Sequence, residues 1–110
     1  ANPSSATAAL ENFAQLDVPV KGVILGDMLE LGTVSHEEHQ KIVDLLIAMK
    51  LDMVFLVGPL YSVCHLPDTF QRFNDSNELA AFLKNEQLTG YHFLIKGSRG
   101  MKLESIVPSL

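Results

Sequence analysis

Leu94-Ile95-Lys96-Gly97-Ser98-Arg99-Gly100-Met101-Lys102-Leu103-Glu104 is the stretch whose reading decides the fold. The apolar residues Tyr91, Phe93, Leu94 and Ile95 read as a buried strand that breaks at its carboxyl end into Lys-Gly-Ser-Arg-Gly. Met101 and Ile106 then resume an apolar pattern at helical spacing. A strand that runs through glycine into a helix is a unit of an open α/β sheet, and such sheets take their ligands at the carboxyl ends of the strands. Two cations beside a hydroxyl and a helix start favour an anionic group, a carboxylate or a phosphate.

Working back toward the amino terminus, the same alternation recurs. Asn2-Pro3 has the form of a helix N-cap followed by proline at the first helical position, with Ala9, Leu10, Phe13 and Leu16 as the apolar face. Val20 to Leu25 reads as a short strand ending at Gly26-Asp27, and Met28 to Val34 as a loop. Ser35-His36-Glu37-Glu38 has capping-box spacing, and Ile42, Val43, Leu46, Ile47 and Met49 continue as an amphipathic helix. Met53 to Val57 is a strand stopped by Gly58-Pro59, Tyr61 to Pro67 is irregular or a short helix, and Phe70 to Phe73 is a brief edge strand. Asp75-Ser76-Asn77-Glu78 caps a third helix carrying Leu79, Phe82, Leu83 and Leu88, which Gly90 ends. Strands separated by helices imply right-handed crossovers and a mostly parallel sheet covered on both faces. The expected fold is a small Rossmann-like three-layer α/β domain spanning residues 1–110.

Composition bounds what such a domain does. The chain has 110 residues, 47% hydrophobic and 19% charged, which suits one packed domain and excludes a disordered chain. A net charge of −5 and scattered basic residues argue against nucleic acid as a partner. The single cysteine, Cys64, excludes an internal disulfide and fits a reducing, cytoplasmic setting. The amino terminus lacks the pattern of a signal peptide, and no apolar run is long enough for a bilayer.

In a parallel sheet three loops converge: Gly26-Asp27-Met28-Leu29-Glu30, Gly58-Pro59-Leu60-Tyr61 and Lys96-Gly97-Ser98-Arg99. The first is acidic and the third basic, a rim suited to a zwitterion with one ammonium and one carboxylate. Each residue has a second reading: Asp27 as a turn former, Glu30 as a solvated carboxylate, Ser98 as an N-cap, Arg99 as a surface partner of Glu104. His36 and His39 lack the His-x-x-x-His spacing of zinc hydrolases and read as polar residues of a first helical turn. Cys64 has apolar neighbours and no basic activator, which makes it a structural thiol. Neither G-x-x-x-x-G-K-S/T nor G-x-G-x-x-G occurs, so this chain by itself is not expected to hydrolyse ATP. A receiver-like, non-enzymatic module with Asp27 as phospho-acceptor and Lys96 as its cation needs an acidic pair near the first strand, which Val18-Pro19-Val20-Lys21 does not supply.

Three segments in order carry a resemblance: Ala1-Asn2-Pro3-Ser4-Ser5 with Ala8-Ala9-Leu10, then Leu25-Gly26-Asp27-Met28-Leu29-Glu30-Leu31-Gly32, then Lys96 to Glu104. Together they resemble the carboxyl-terminal domain of the Mur ligases, and Ser35 to His39 adds to the likeness. The branch most resembled joins D-alanyl-D-alanine to UDP-N-acetylmuramoyl-tripeptide through an acyl phosphate, in peptidoglycan precursor synthesis. Lys-Gly-Ser-Arg, where a diaminopimelate- or lysine-adding relative has Lys-Gly-His-Glu, argues against that relative; an acceptor such as another amino acid or a folate glutamate is the alternative.

The resemblance implies two further domains in cis, an amino-terminal one for the UDP-sugar and a central one for ATP and magnesium, and an inactive domain when this one stands alone. It implies that Ser98 and Arg99 hold the incoming carboxylate, that Lys96 supports their loop and that Asn2 faces the nucleotide side of the cleft. Asp27 and Glu30 would line the same cleft, where their charge suits the dipeptide ammonium.

Overall fold

The computed structural model describes residues 2–29, 31–86 and 88–97. Ser98, Arg99, Glu30 and the helical pattern of Met101 and Ile106 lie outside the described residues. Four strands, β1 (Lys21–Gly26), β2 (Met53–Val57), β3 (Gln71–Phe73) and β4 (His92–Lys96), form one sheet in the order β3-β2-β1-β4. Every pairing is parallel, with Val23 opposite both Val54 and Leu94, and Leu56 opposite Arg72. Among the described residues, three helices, α1 (Pro3–Ala14), α2 (Ser35–Met49) and α3 (Ser76–Lys84), and two short 3-10 turns, Gly32–Val34 and Pro59–Val63, accompany them. The three-layer α/β architecture expected from the alternation is the one observed.

The pleat sorts the core. Val23 and Leu25 of β1, with Val54 and Leu56 of β2, pack against Leu10 and Phe13 of α1 and Ile42, Val43 and Leu46 of α2. The intervening Ile24, Phe55 and Val57 face the other way, onto Leu79 and Leu83 of α3. The period-two alternation of side chains thus assigns neighbouring apolar residues to opposite layers. Gly22 is part of this packing, because a Cβ there would fall within the ring of Phe93.

The helix starts follow the sequence at two of three places. Asn2 Oδ1 accepts the Ser5 N–H at 2.8 Å, and Asp75 Oδ1 accepts the Glu78 N–H at 2.9 Å. The capping box at Ser35 is not formed. The turn Gly32–Val34 runs straight into α2, so Val34 is the cap residue and Ser35 is already helical, its N–H bonded to the Gly32 carbonyl. Glu38 accordingly turns to Lys41, at 3.4 Å, rather than back to a cap.

Three further expectations need correction. The strand before Gly97 is not fully buried: among the described residues β4 lies at one end of the sheet, and from Phe93 onward it is half-buried. Leu16 lies beyond the end of α1 and is 51% exposed, and Ala6 takes its place on the buried face. Ile47 projects from the outer side of α2 at 44% exposure.

Candidate functional site

The chain runs β1 to β2 to β3 on one side of the sheet and then crosses over to place β4 on the other side of β1. That reversal makes a crevice above the carboxyl ends of β1 and β4, the usual ligand position in an open α/β sheet. The loops leaving at this point are those that begin Asp27-Met28 and Gly97. Lys96, opposite Leu25 in register, closes β4 beside the crevice. Its Nζ donates to Ser5 Oγ at 3.0 Å, a bond that joins β4 to the first turn of α1. Lys96, Ser5 and the cap residue Asn2 therefore form one group, although they stand at opposite ends of the sequence.

Asp27 is placed differently from the rim position its charge suggests. It is 1% exposed, and its two carboxylate oxygens accept the Leu60 N–H at 3.2 and 3.3 Å. Its own N–H donates to the Val57 carbonyl at 3.0 Å. The fit is close because Gly58, at φ +124°, has no side chain; a Cβ there would land on the Asp27 carboxyl group. Burial pushes the Asp27 carboxyl above its ordinary pKa, opposed by the Leu60 N–H and by the charge of Arg72. Of its two sequence readings, turn shaping matches this geometry: the carboxylate ties the loop after β1 to the turn after β2.

Two neighbours of Asp27 take places that the sequence reading did not assign them. His39, read from the sequence as a polar residue of a first helical turn, is fully buried at 0%. Its Nε2 accepts the Met28 N–H at 3.0 Å and its Nδ1 lies 2.7 Å from the Ser35 carbonyl. The Tyr61 ring meets the imidazole edge-on at 4.9 Å, and its hydroxyl donates to the Gly26 carbonyl at 3.2 Å. Burial raises the Tyr61 phenol beyond any physiological titration, so the hydroxyl remains a donor. The signal for His39 was present, since His39, Ile42, Val43 and Leu46 share one helical face. On β3, Arg72 Nη1 donates to the Gly58 carbonyl at 3.3 Å and to Asn74 Oδ1 at 3.0 Å, steadying the second loop from outside.

Burial raises the Cys64 thiol above its ordinary pKa, which keeps it protonated and agrees with a structural role. A groove of about 540 Å³ lies along α2 beside His36, Glu37, Asp44 and His65. Among the described residues no three His, Cys, Asp or Glu side chains converge to hold a metal ion. No described helix is long and apolar enough to cross a membrane.

No profile of a known protein family matches the chain. Individual proteins do. The UDP-N-acetylmuramoyl-tripeptide–D-alanyl-D-alanine ligase of Rickettsia prowazekii (strain Madrid E) is 35% identical over 97% of the chain, and that of Bacillus subtilis (strain 168) is 33% identical over all of it. The chain spans about a quarter of the length of these relatives, 25% and 26%. Among solved structures, MurF from Acinetobacter baumannii superposes over 100% of the chain with a TM-score of 0.84 at 30% identity. MurF ligase from Thermotoga maritima, solved in complex with ADP, covers 99% with a TM-score of 0.78 at 23% identity, a likeness of fold.

Proposed function

Since the chain belongs with the Mur ligases in sequence and fold, we propose that it works as the carboxyl-terminal, acceptor-presenting domain of an ATP-dependent ligase for D-alanyl-D-alanine. The observation that carries this reading is likeness over the whole chain, in sequence and in fold, to ligases named for that reaction. In the proposed reaction the carboxylate of UDP-N-acetylmuramoyl-tripeptide takes the γ-phosphoryl group of ATP, and ADP leaves. The dipeptide amine attacks the resulting acyl phosphate, loses a proton, and expels inorganic phosphate as the amide forms. The described residues do not fit a nucleotide–metal centre: the sequence has no phosphate loop, and among the described residues no metal-ligand set gathers. ATP and magnesium are therefore assigned to the other domains of such a ligase, in cis, and the enzyme to the cytoplasm.

The contribution of this domain is then placement. Arg99 offers the dipeptide carboxylate a bidentate fork and Ser98 a further donor, on the loop that Lys96 begins. Glu30 is the carboxylate suited to the dipeptide ammonium, Asp27 shapes the loop that carries it, and Asn2 opens the first helix on the nucleotide side. Holding the amine against the acyl phosphate converts an encounter of two solutes into a step within one complex, and domain closure excludes water from that mixed-anhydride intermediate.

The test is phosphate release by the complete protein with ATP, magnesium and UDP-N-acetylmuramoyl-tripeptide. The acceptors compared are D-alanyl-D-alanine, L-alanyl-L-alanine, D-glutamate and diaminopimelate. Release with the D,D-dipeptide alone supports the reading. Release with a different acceptor transfers the domain to another branch of the family, and none at all removes the ligase activity. Arg99→Ala is expected to raise the dipeptide KM about tenfold or more, the size of a lost charge-assisted bond. An unchanged KM and rate would remove Arg99 from the site.

A further inference from the structure

The backbone leaving β1 is anchored at three consecutive residues. The Gly26 carbonyl is bonded to Tyr61, the Asp27 carboxylate to the Leu60 N–H, and the Met28 N–H to His39. None of these bonds is local; their sequence separations are 35, 33 and 11 residues. A simple turn needs no such ties, because a turn is held by a bond across its own four residues.

His39 is the least expected of the three anchors. On the buried face of α2 a leucine would continue the stripe of Ile42, Val43 and Leu46, so packing alone does not call for an imidazole. Both ring nitrogens are nonetheless engaged by backbone: Nδ1 donates to the Ser35 carbonyl at 2.7 Å, and Nε2 accepts from Met28 at 3.0 Å. The first bond orients the ring and sets its tautomer, and that tautomer leaves Nε2 as the acceptor. Tyr61 closes the remaining edge at 4.9 Å and 78°. Helix α2 thereby reaches under the crevice and fixes the main chain two residues beyond the end of β1.

We infer that His39 is a positioning residue for the acceptor site: by holding the Met28 N–H it presents the loop that begins at Asp27 in one position at the switch point. This rests on the ligase reading above, and His39 itself touches no substrate. Two variants separate position from packing. His39→Leu keeps the volume and removes the acceptor; His39→Gln supplies a side-chain carbonyl that can accept from Met28.

In the complete protein, His39→Leu is expected to raise the dipeptide KM about tenfold while kcat and the KM values for ATP and the UDP-tripeptide stay within about threefold. His39→Gln is expected to return the dipeptide KM to within about threefold of the parent. Three KM values rising together, or a glutamine variant no better than the leucine one, would overturn the inference.

Amide hydrogen exchange at Met28, with Val54 of the central sheet as the control for global opening, gives a second readout that needs no turnover. Faster exchange at Met28 alone in His39→Leu, reversed in His39→Gln, is the expected result; equal rates in all three proteins would overturn it. If the parent releases no phosphate with any acceptor, the ligase reading fails, and the exchange pattern alone decides whether His39 holds the loop.

Discussion

Asp27 shows how one carboxylate changes meaning between sequence and structure. Beside Gly26 and ahead of Glu30 it looks like part of an acidic rim, but folding turns it inward onto the Leu60 N–H. Burial then raises its pKa, so the folded state holds the proton more tightly than the unfolded chain does. The sign follows: the stability Asp27 contributes is greatest below the unfolded pKa and is lost as pH rises through the raised folded value. Asp27→Asn keeps an acceptor for Leu60 and has no charge to desolvate. Its melting temperature relative to the parent is therefore expected to improve as pH rises above the ordinary aspartate pKa, and to level off once the raised folded value is passed. A difference that stays flat over that range would mean that the carboxylate is not desolvated. His39 was misread for a related reason, since a histidine near a helix start is polar by composition whereas its helical face is set by spacing.

At the scale of elements, local signals worked where the chain ends were free to obey them. Asn2 and Asp75 cap their helices as their side chains predict, and Gly58-Pro59 stops β2. Ser35 did not cap, because the preceding 3-10 turn already satisfies its N–H and extends the helix past the expected start. The other end of α2 carries a local conflict. Lys50 closes the helix at φ 53°, a left-handed conformation that costs an L residue about 1–2 kcal/mol and glycine almost nothing. Lys50→Gly recovers part of that, offset by the greater freedom of glycine in the unfolded chain. A net gain of about 0.5 kcal/mol is expected, read as a small rise in urea midpoint with an unchanged m-value. A loss of stability would show that the Lys50 side chain contributes more than its backbone costs.

Across the whole molecule, the sheet separates two cores, and Phe55 is the centre of the one beneath α3. Its ring lies 6.0 Å from Phe73, 5.8 Å from Phe82 and 6.3 Å from Phe93, joining β3, α3 and β4. Because β3 and β4 both lean on this residue, Phe55→Ala is expected to cost about 3–5 kcal/mol, a large share of the stability of a domain this size. Urea denaturation followed by circular dichroism would measure it, and a cost under about 1 kcal/mol would mean that the cluster collapses onto the cavity without loss. The opposite core, with its buried histidine and tyrosine, is the one that supports the crevice. Apolar packing thus holds the sheet from one side, and hydrogen bonds anchor the loop between β1 and α2 on the other.

The sequence by itself determined the alternation of strands and helices, the parallel sheet and the edge at which its loops gather, because hydrophobic period, helix caps and glycine stops are local properties of the chain. It also carried the family likeness, since the segments that resemble the Mur ligases are short and keep their order. Only the tertiary structure decided that β4 pairs with β1 on the side away from β2, that Lys96 meets Ser5, and that Asp27 and His39 serve the backbone from inside. Each of those facts joins residues 11 to 91 positions apart. The burial of a polar group depends on what the rest of the chain folds against it, and no local pattern encodes that.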